Sequence, residues 1–311
     1  MEQIHTGHTP VMLGAVLSAL ELVPGMRVMD ATLGGGGYTR ALLDQVGPTG
    51  QVIALDWDRA AIDRFRDQAA QEPRLKAALE TKRLILVRVS YDSILEVLQK
   101  YGWDGADALV ADLGLSSDQL ADPKRGISFQ LDGPLDMRLN SDETVQAAHI
   151  LNQWDEAALT DLFQTYGDEP EAQRLARAII SARQLAPLTT TIELRELIWG
   201  NVVSARRRAK IHPATKVFQA LRIAVNSEHT HLERLLTALP LALRPGGRAA
   251  FVTFHSGEDA MVKHLSQKHI RSDHPTLCWV TKKPLVPDQT EIQSNPRARS
   301  AKVRIVERLK K

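Results

Sequence analysis

Four consecutive glycines, Gly34 to Gly37, stand between a β-like run, Arg27-Val-Met-Asp30, and a helical pattern, Tyr38-Thr-Arg-Ala-Leu-Leu43. Without Cβ atoms, such a loop lets backbone N–H groups come close to a ligand at the start of a helix. Twenty residues after Gly36, a second strand-like run, Gln51-Val-Ile-Ala-Leu-Asp56, ends in an acid. A carboxylate at that strand end can accept hydrogen bonds from both hydroxyls of a ribose. Loop and acid together point to a nucleoside-cofactor site on a parallel α/β sheet; a plain strand–helix turn is the simpler alternative for the loop alone.

The spacing narrows the cofactor. A dinucleotide fingerprint needs G-x-G-x-x-G, and the third position falls on Thr39 or Arg40, depending on register. An S-adenosylmethionine loop, acid-x-G-x-G-x-G, fits better, with Asp30, Thr32, Gly34 and Gly36 in its four places. Thr32 departs from the first glycine.

Strand and helix patterns alternate along the first third of the chain. Strands are expected at Val28–Ala31, Val52–Asp56, Leu84–Val89 and Ala108–Asp112, with helices near Tyr38–Val46, Arg59–Ala70 and Tyr91–Tyr101. An earlier helix is expected from Val11 to about Leu22, with Thr9 as its N-cap and Pro10 opening it. Such alternation means βαβ units and a doubly wound, mostly parallel sheet. It resumes only at Arg248–Phe254, after 135 residues, where a crossover unit needs roughly 30. The excess reads as an inserted helical domain, residues 115–211. Its helices are expected near Thr144–Asn152, Glu156–Tyr166, Glu171–Arg183 and Ile192–Trp199, with Asp155 and Thr190 as N-caps. Residues 1–114 and 212–311 form the sheet domain, to which a helix starting at Pro213 returns. A helix follows Ser256, and strand-like runs Leu277–Lys282 and Lys302–Leu309 close the chain. A final antiparallel strand is what Rossmann-like methyltransferases add to this sheet.

The 311 residues carry a net charge of +2, 43% hydrophobic and 24% charged residues, which is ordinary for a soluble globular protein. That charge does not by itself announce a nucleic-acid binder. The basic run Arg206-Arg-Arg-Ala-Lys210 and the basic tail after Asn295 either meet phosphates or are solvated faces. Cys278 is the only cysteine, so no intrachain disulfide forms, which suits a reducing cytoplasm; its strand-like setting suggests inert core. No apolar run reaches membrane length.

Asp112, at the end of the fourth strand, faces the crevice where open α/β sheets bind ligands. A carboxylate there can accept the N–H of an aromatic amine, a poor nucleophile, and restore density to its nitrogen; a cap on the following loop is the structural alternative. Arg125 and Arg138 could hold a phosphate, although Arg138 with Asp136 also reads as an ion pair. On the expected helix after Pro213, Val217, Leu221, Ala224 and Val225 form a core stripe, while Lys216 and Arg222 lie off it and face either RNA or solvent. His255 closes the fifth strand beside Phe254 and either touches substrate or is a satisfied polar group. His229-Thr-His231 lacks a third ligand at metal spacing, so no metal site is expected.

Taken together these blocks resemble the bacterial 16S rRNA cytosine-N4 methyltransferases, the RsmH (MraW) family. The resemblance rests on His8-Thr-Pro-Val-Met-Leu13, Asp30 to Leu42, Asp112-Leu-Gly-Leu-Ser-Ser117 with Gln119, and Arg125-Gly-Ile-Ser-Phe129. It continues through Asp132-Gly-Pro-Leu-Asp-Met-Arg138, the Lys216 to Asn226 block, Phe254-His-Ser256 with Glu258-Asp259, and Asn295-Pro-Arg-Ala-Arg-Ser300. It implies a class I methyltransferase domain with a helical insert. It also implies a cytoplasmic enzyme that uses S-adenosyl-L-methionine to methylate a cytidine of the decoding region (P site) in 16S rRNA, within the small ribosomal subunit. Cofactor contacts implied by the resemblance fall on Gly35, Gly36, Gly37, Tyr38, Asp56, Tyr91, Asp112 and Gln119. Tyr38 stands where the family usually has histidine, and Tyr91 where phenylalanine is common. Gly257 and Ala260 replace a larger apolar residue and an arginine. A small-molecule methyltransferase, with the insert as a lid, and a cofactor-sensing RNA-binding protein remain the competing readings. Oligomeric state is not legible.

Overall fold

A computed structural model describes residues 10–310; Thr9 and the His8 end of the first family block lie outside them. Seven strands form one sheet: β1 Arg27–Asp30, β2 Gln51–Asp56, β3 Leu84–Arg88, β4 Ala106–Asp112, β5 Leu243–Thr253, β6 Leu277–Trp279 and β7 Lys302–Arg308. Their order is β3-β2-β1-β4-β5-β7-β6. β1 to β5 pair in parallel, and β7 runs antiparallel to both β5 and β6. This is the doubly wound, Rossmann-like sheet of class I methyltransferases, with the reversed last strand expected from the sequence.

Period-two alternation explains why both faces are covered. Val28, Val52, Ala54, Ala108, Val110, Ala250 and Val252 face one apolar cluster. Their chain neighbours Met29, Ile53, Leu55, Leu109, Ala111, Ala249 and Phe251 face another. The first cluster is completed by α1 Leu13–Leu20, α2 Gly37–Gln45, α3 Arg59–Gln71 and α4 Pro73–Glu80, the second by α5 Ile94–Lys100 together with Leu232, Leu235, Leu236, Leu239 and Val262 from later in the chain.

The chain then enters a helical unit, Ser116–Glu228. It contains α6 Ser117–Ala121, α7 Ala147–Gln153, α8 Glu156–Thr165, α9 Ala172–Arg183, α10 Thr191–Asn201, α11 Ser204–Arg207 and α12 Ala214–Val225. Both expected caps are present: Asp155 accepts from the Ala158 N–H at 2.8 Å, and Thr190 from that of Glu193 at 3.3 Å. In the first loops of this unit Gly126, at φ 62°, leaves no room for a Cβ against the Pro134 carbonyl. That contact fixes a glycine inside the long Arg125–Arg138 block.

After Glu228 the sheet unit resumes with α13 Glu228–Ala242, α14 Ser256–Ile270 and α15 Gln289–Ser294. One expectation is corrected here and one omission is filled. The helix after Pro213 does not return to the sheet: α12 packs on α7, α8 and α10, and Val217, Leu221 and Val225 join the core of the helical unit. An apolar stripe shows that a face is buried, not which partner buries it. The omission is α13, despite its buried Leu232, Leu235, Leu236 and Leu239; Pro240 near its end breaks the usual helical signature. The residues Arg244-Pro-Gly-Gly247, a turn-like sequence, are absorbed into β5, where the register shifts between Ala106–Leu243 and Ala108–Arg248.

Candidate active site

Three carboxylates end three adjacent strands: Asp30 on β1, Asp56 on β2 and Asp112 on β4. β1 and β4 flank the point where strand order reverses, the place where open α/β sheets form a ligand crevice. Asp30 is fully buried and organises the loop, accepting from the Thr32 N–H at 3.1 Å and the Thr39 hydroxyl at 2.6 Å. Asp56 accepts from the N–H groups of Gly34 and Asp58, each at 2.8 Å. It therefore holds the glycine loop in shape, and lone pairs remain for a ligand. Asp112 accepts from the Gly114 N–H at 3.1 Å.

Thr32, the residue out of step with the glycine pattern, has a structural reason. Its hydroxyl accepts the Asp112 N–H at 2.7 Å and so ties the loop after β1 to the end of β4. Gly36, at φ 76°, lies against the Phe65 ring, with no space for a Cβ. Over Gly35 the space is open: a Cβ there would meet no heavy atom within 4 Å. The loop thus presents bare backbone at the start of α2.

Withdrawal from water dominates the electrostatics. It pushes Asp30 and Asp56 up to about 6, against the hydrogen bonds they accept. Asp112 is pushed up to about 7, first by burial and further by the nearby charges of Asp30 and Glu258. Three carboxylates held this way favour a cationic ligand. A sulfonium and ammonium donor with a ribose fits that donor set and the bare glycine backbone.

Beside Asp56 lies a cluster of rings that the sequence reading did not assemble. The His231 ring meets Trp57 edge-on at 4.7 Å and Tyr91 at 6.3 Å. The Ser90 hydroxyl is 3.2 Å from His231 Nδ1. Tyr91 was expected at a cofactor site; Trp57 and His231 join it because β2, β3 and α13 converge. No short sequence signal joins residues so far apart in the chain. Tyr38, by contrast, is buried in the core, its hydroxyl donating to the Val11 carbonyl at 2.6 Å. What it offers at the loop is backbone rather than ring, and it ties the loop to the segment preceding α1.

Several candidate substrate contacts are engaged internally. Arg138 grips Asp136 with two bonds of 2.7 Å and also donates to the carbonyls of Ser141 and Glu143. The ion-pair reading of this pair is therefore the one the structure shows. Arg222 grips Glu228 at 2.7 and 2.8 Å, Lys216 donates to the Asp168 carbonyl, and Arg125 points at the carbonyls of Arg138 and Leu139. Gln119 completes the capping box of α6 with Ser116. His255 caps α14 by accepting from the Glu258 N–H, and Glu258 accepts from the Phe254 N–H. Of the basic run, Arg206 is locked on Glu169 and Glu171. In the tail, Lys302 and Arg304 pair with Asp259. Cys278 is half-buried, and burial pushes its thiol up.

A model of the MraW methylase family matches residues 5–309. The chain belongs to that family. Similar curated members are named ribosomal RNA small subunit methyltransferase H. One from Thermomicrobium roseum is 43% identical over 99% of this chain and 95% of its own length. Another, from Solidesulfovibrio magneticus, is 40% identical over 97% and 95%; that from Synechococcus elongatus is 43% identical over the same shares. Among solved structures, a putative rRNA methylase from Clostridium thermocellum is similar with a TM-score of 0.44 at 13% identity, covering 97% of this chain and all of that one. In this chain, the loop, the strand-end acids and the long Asp132–Arg138 block are positioned by the contacts above. Among the described residues no helix is long and apolar enough to cross a membrane.

Proposed function

We propose that this chain methylates the exocyclic N4 of a cytidine in the decoding region of 16S rRNA, in the cytoplasm, with S-adenosylmethionine as donor. Family membership and relatives named as small-subunit rRNA methyltransferases support the RNA substrate. The observation that carries the chemistry is Asp112, which ends β4 beside the reversal of strand order, is tied to the glycine loop through Thr32 at 2.7 Å, and is pushed upward by burial.

The donor supplies an electrophilic methyl group on a positively charged sulfur. The chain's own residues supply alignment and proton handling. Gly35 and Gly37 offer backbone without side-chain obstruction, and the space over Gly35 is open. Asp56 accepts from the ribose hydroxyls, while Trp57, Tyr91 and His231 form an apolar, edge-lined seat for an adenine ring. Asp112 accepts an N–H of the target amine, concentrates its lone pair, and takes the proton that nitrogen sheds after alkylation. A base poised near neutrality does this best. The remaining work is orientation, and the cytidine must leave its stack to reach the crevice.

The test is incubation with radiolabelled S-adenosylmethionine and small ribosomal subunits, followed by nucleoside mapping of the RNA. Label in N4-methylcytidine is expected. Label on another base, or none in RNA, overturns the proposal.

A further inference from the structure

Four rings in the helical unit form a row that leads from the core to the surface. Phe218 is buried, with 4% of its surface exposed, and meets Phe129 edge-on at 5.2 Å. Phe129 stacks on His212 at 4.9 Å, and His212 stacks on Trp199 at 5.1 Å with an interplanar angle of 18°. Trp199 ends the row with 36% of its surface exposed. His212 is pinned in place: its Nδ1 accepts the Ala214 N–H at 3.1 Å. Burial, then the nearby Arg195 charge, lowers its pKa, so the ring is held neutral between two aromatic faces.

The stack closes the segment between Trp199 and His212 into a loop. Arg207 fastens it by donating to the Gly200 carbonyl at 2.8 Å. The same loop exposes Val203 and Ile211 and carries Arg208 and Lys210, both exposed and without a carboxylate partner among the described residues. Arg208 and Lys210 are four and two positions from His212, so their Cα atoms lie within roughly 14 Å of its own.

Resting on the proposal that the substrate is rRNA, we infer that Trp199 is a stacking platform for one unpaired base, with Arg208 and Lys210 on the adjoining phosphates. Stacking on an aromatic face is tolerant of base identity. The platform therefore grips single-stranded RNA and does not choose the cytosine. Arg206, locked on Glu169, is scaffold, which divides the basic run into an inner anchor and outer contacts.

The test compares binding of small-subunit rRNA by the wild type, Trp199→Ala, Trp199→Phe and the double variant Arg208→Ala/Lys210→Ala, with S-adenosylmethionine affinity as the folding control. Trp199→Ala is expected to weaken RNA binding about 5- to 100-fold. Trp199→Phe should recover most of the loss, and the double variant should flatten the salt dependence by up to about two phosphates. All three should keep the wild-type affinity for the methyl donor. Wild-type RNA affinity in Trp199→Ala overturns the platform and leaves the methyltransferase reading standing. Failure of the wild type itself to bind or methylate small-subunit rRNA overturns both.

Discussion

Asp112 and Thr32 show how single residues set up the crevice. Asp112→Ala removes the proposed proton acceptor, and methyl transfer to small subunits should fall by at least about 100-fold. The variant should stay folded, because the carboxylate caps only the Gly114 N–H; transfer at the wild-type rate would remove Asp112 from the chemistry. Thr32→Val keeps the shape and deletes the acceptor for the Asp112 N–H. An unpaired, partly buried donor costs about 1 kcal/mol or more. Denaturant unfolding should show that loss, with Thr32→Ser retaining most of the stability. Strand-end position and family pattern point to Asp56 and Tyr91. In the sequence His231 reads only as half of an incomplete metal motif, because its partners Trp57, Ser90 and Tyr91 lie far away along the chain.

Among the elements, α11 illustrates why a basic run is ambiguous. Arg206 reaches Glu169, whose side chain is fully buried, and Glu171 at 3.4 Å. Arg206→Ala leaves a buried carboxylate without its partner, which costs about 3–5 kcal/mol. Denaturant unfolding should report that loss, and Arg206→Met combined with Glu169→Gln should recover much of it. A single variant as stable as the wild type would show that Glu169 finds water instead. Caps and strands were legible because they rest on neighbours in sequence. The partner of α12 was not, because packing partners are long-range.

Across the whole molecule, the raised carboxylates set a pH dependence. Asp30, Asp56 and Asp112 bind protons more tightly folded than unfolded, so the native state holds more protons between about pH 4 and 7. Their contribution to stability therefore falls as pH rises through that window and is flat above it. His212 and His269, both lowered first by burial, act the other way below about pH 6.5. Asp112→Asn isolates one group. Its stability relative to the wild type should rise from pH 5 to 8, because only the wild type must ionise a carboxylate there. Thermal unfolding of both proteins across that range would show the rise, and parallel curves would contradict it.

The sequence by itself determined the alternating sheet, the glycine loop, the strand-end acids and the helical insert. Each is written in neighbouring residues, through period-two burial, missing Cβ atoms and capping side chains. Tertiary structure alone decided which charges are spent on internal pairs, which rings gather beside Asp56, and where α12 is buried. Those outcomes depend on contacts between residues tens to hundreds of positions apart, for which a local pattern carries no coordinate.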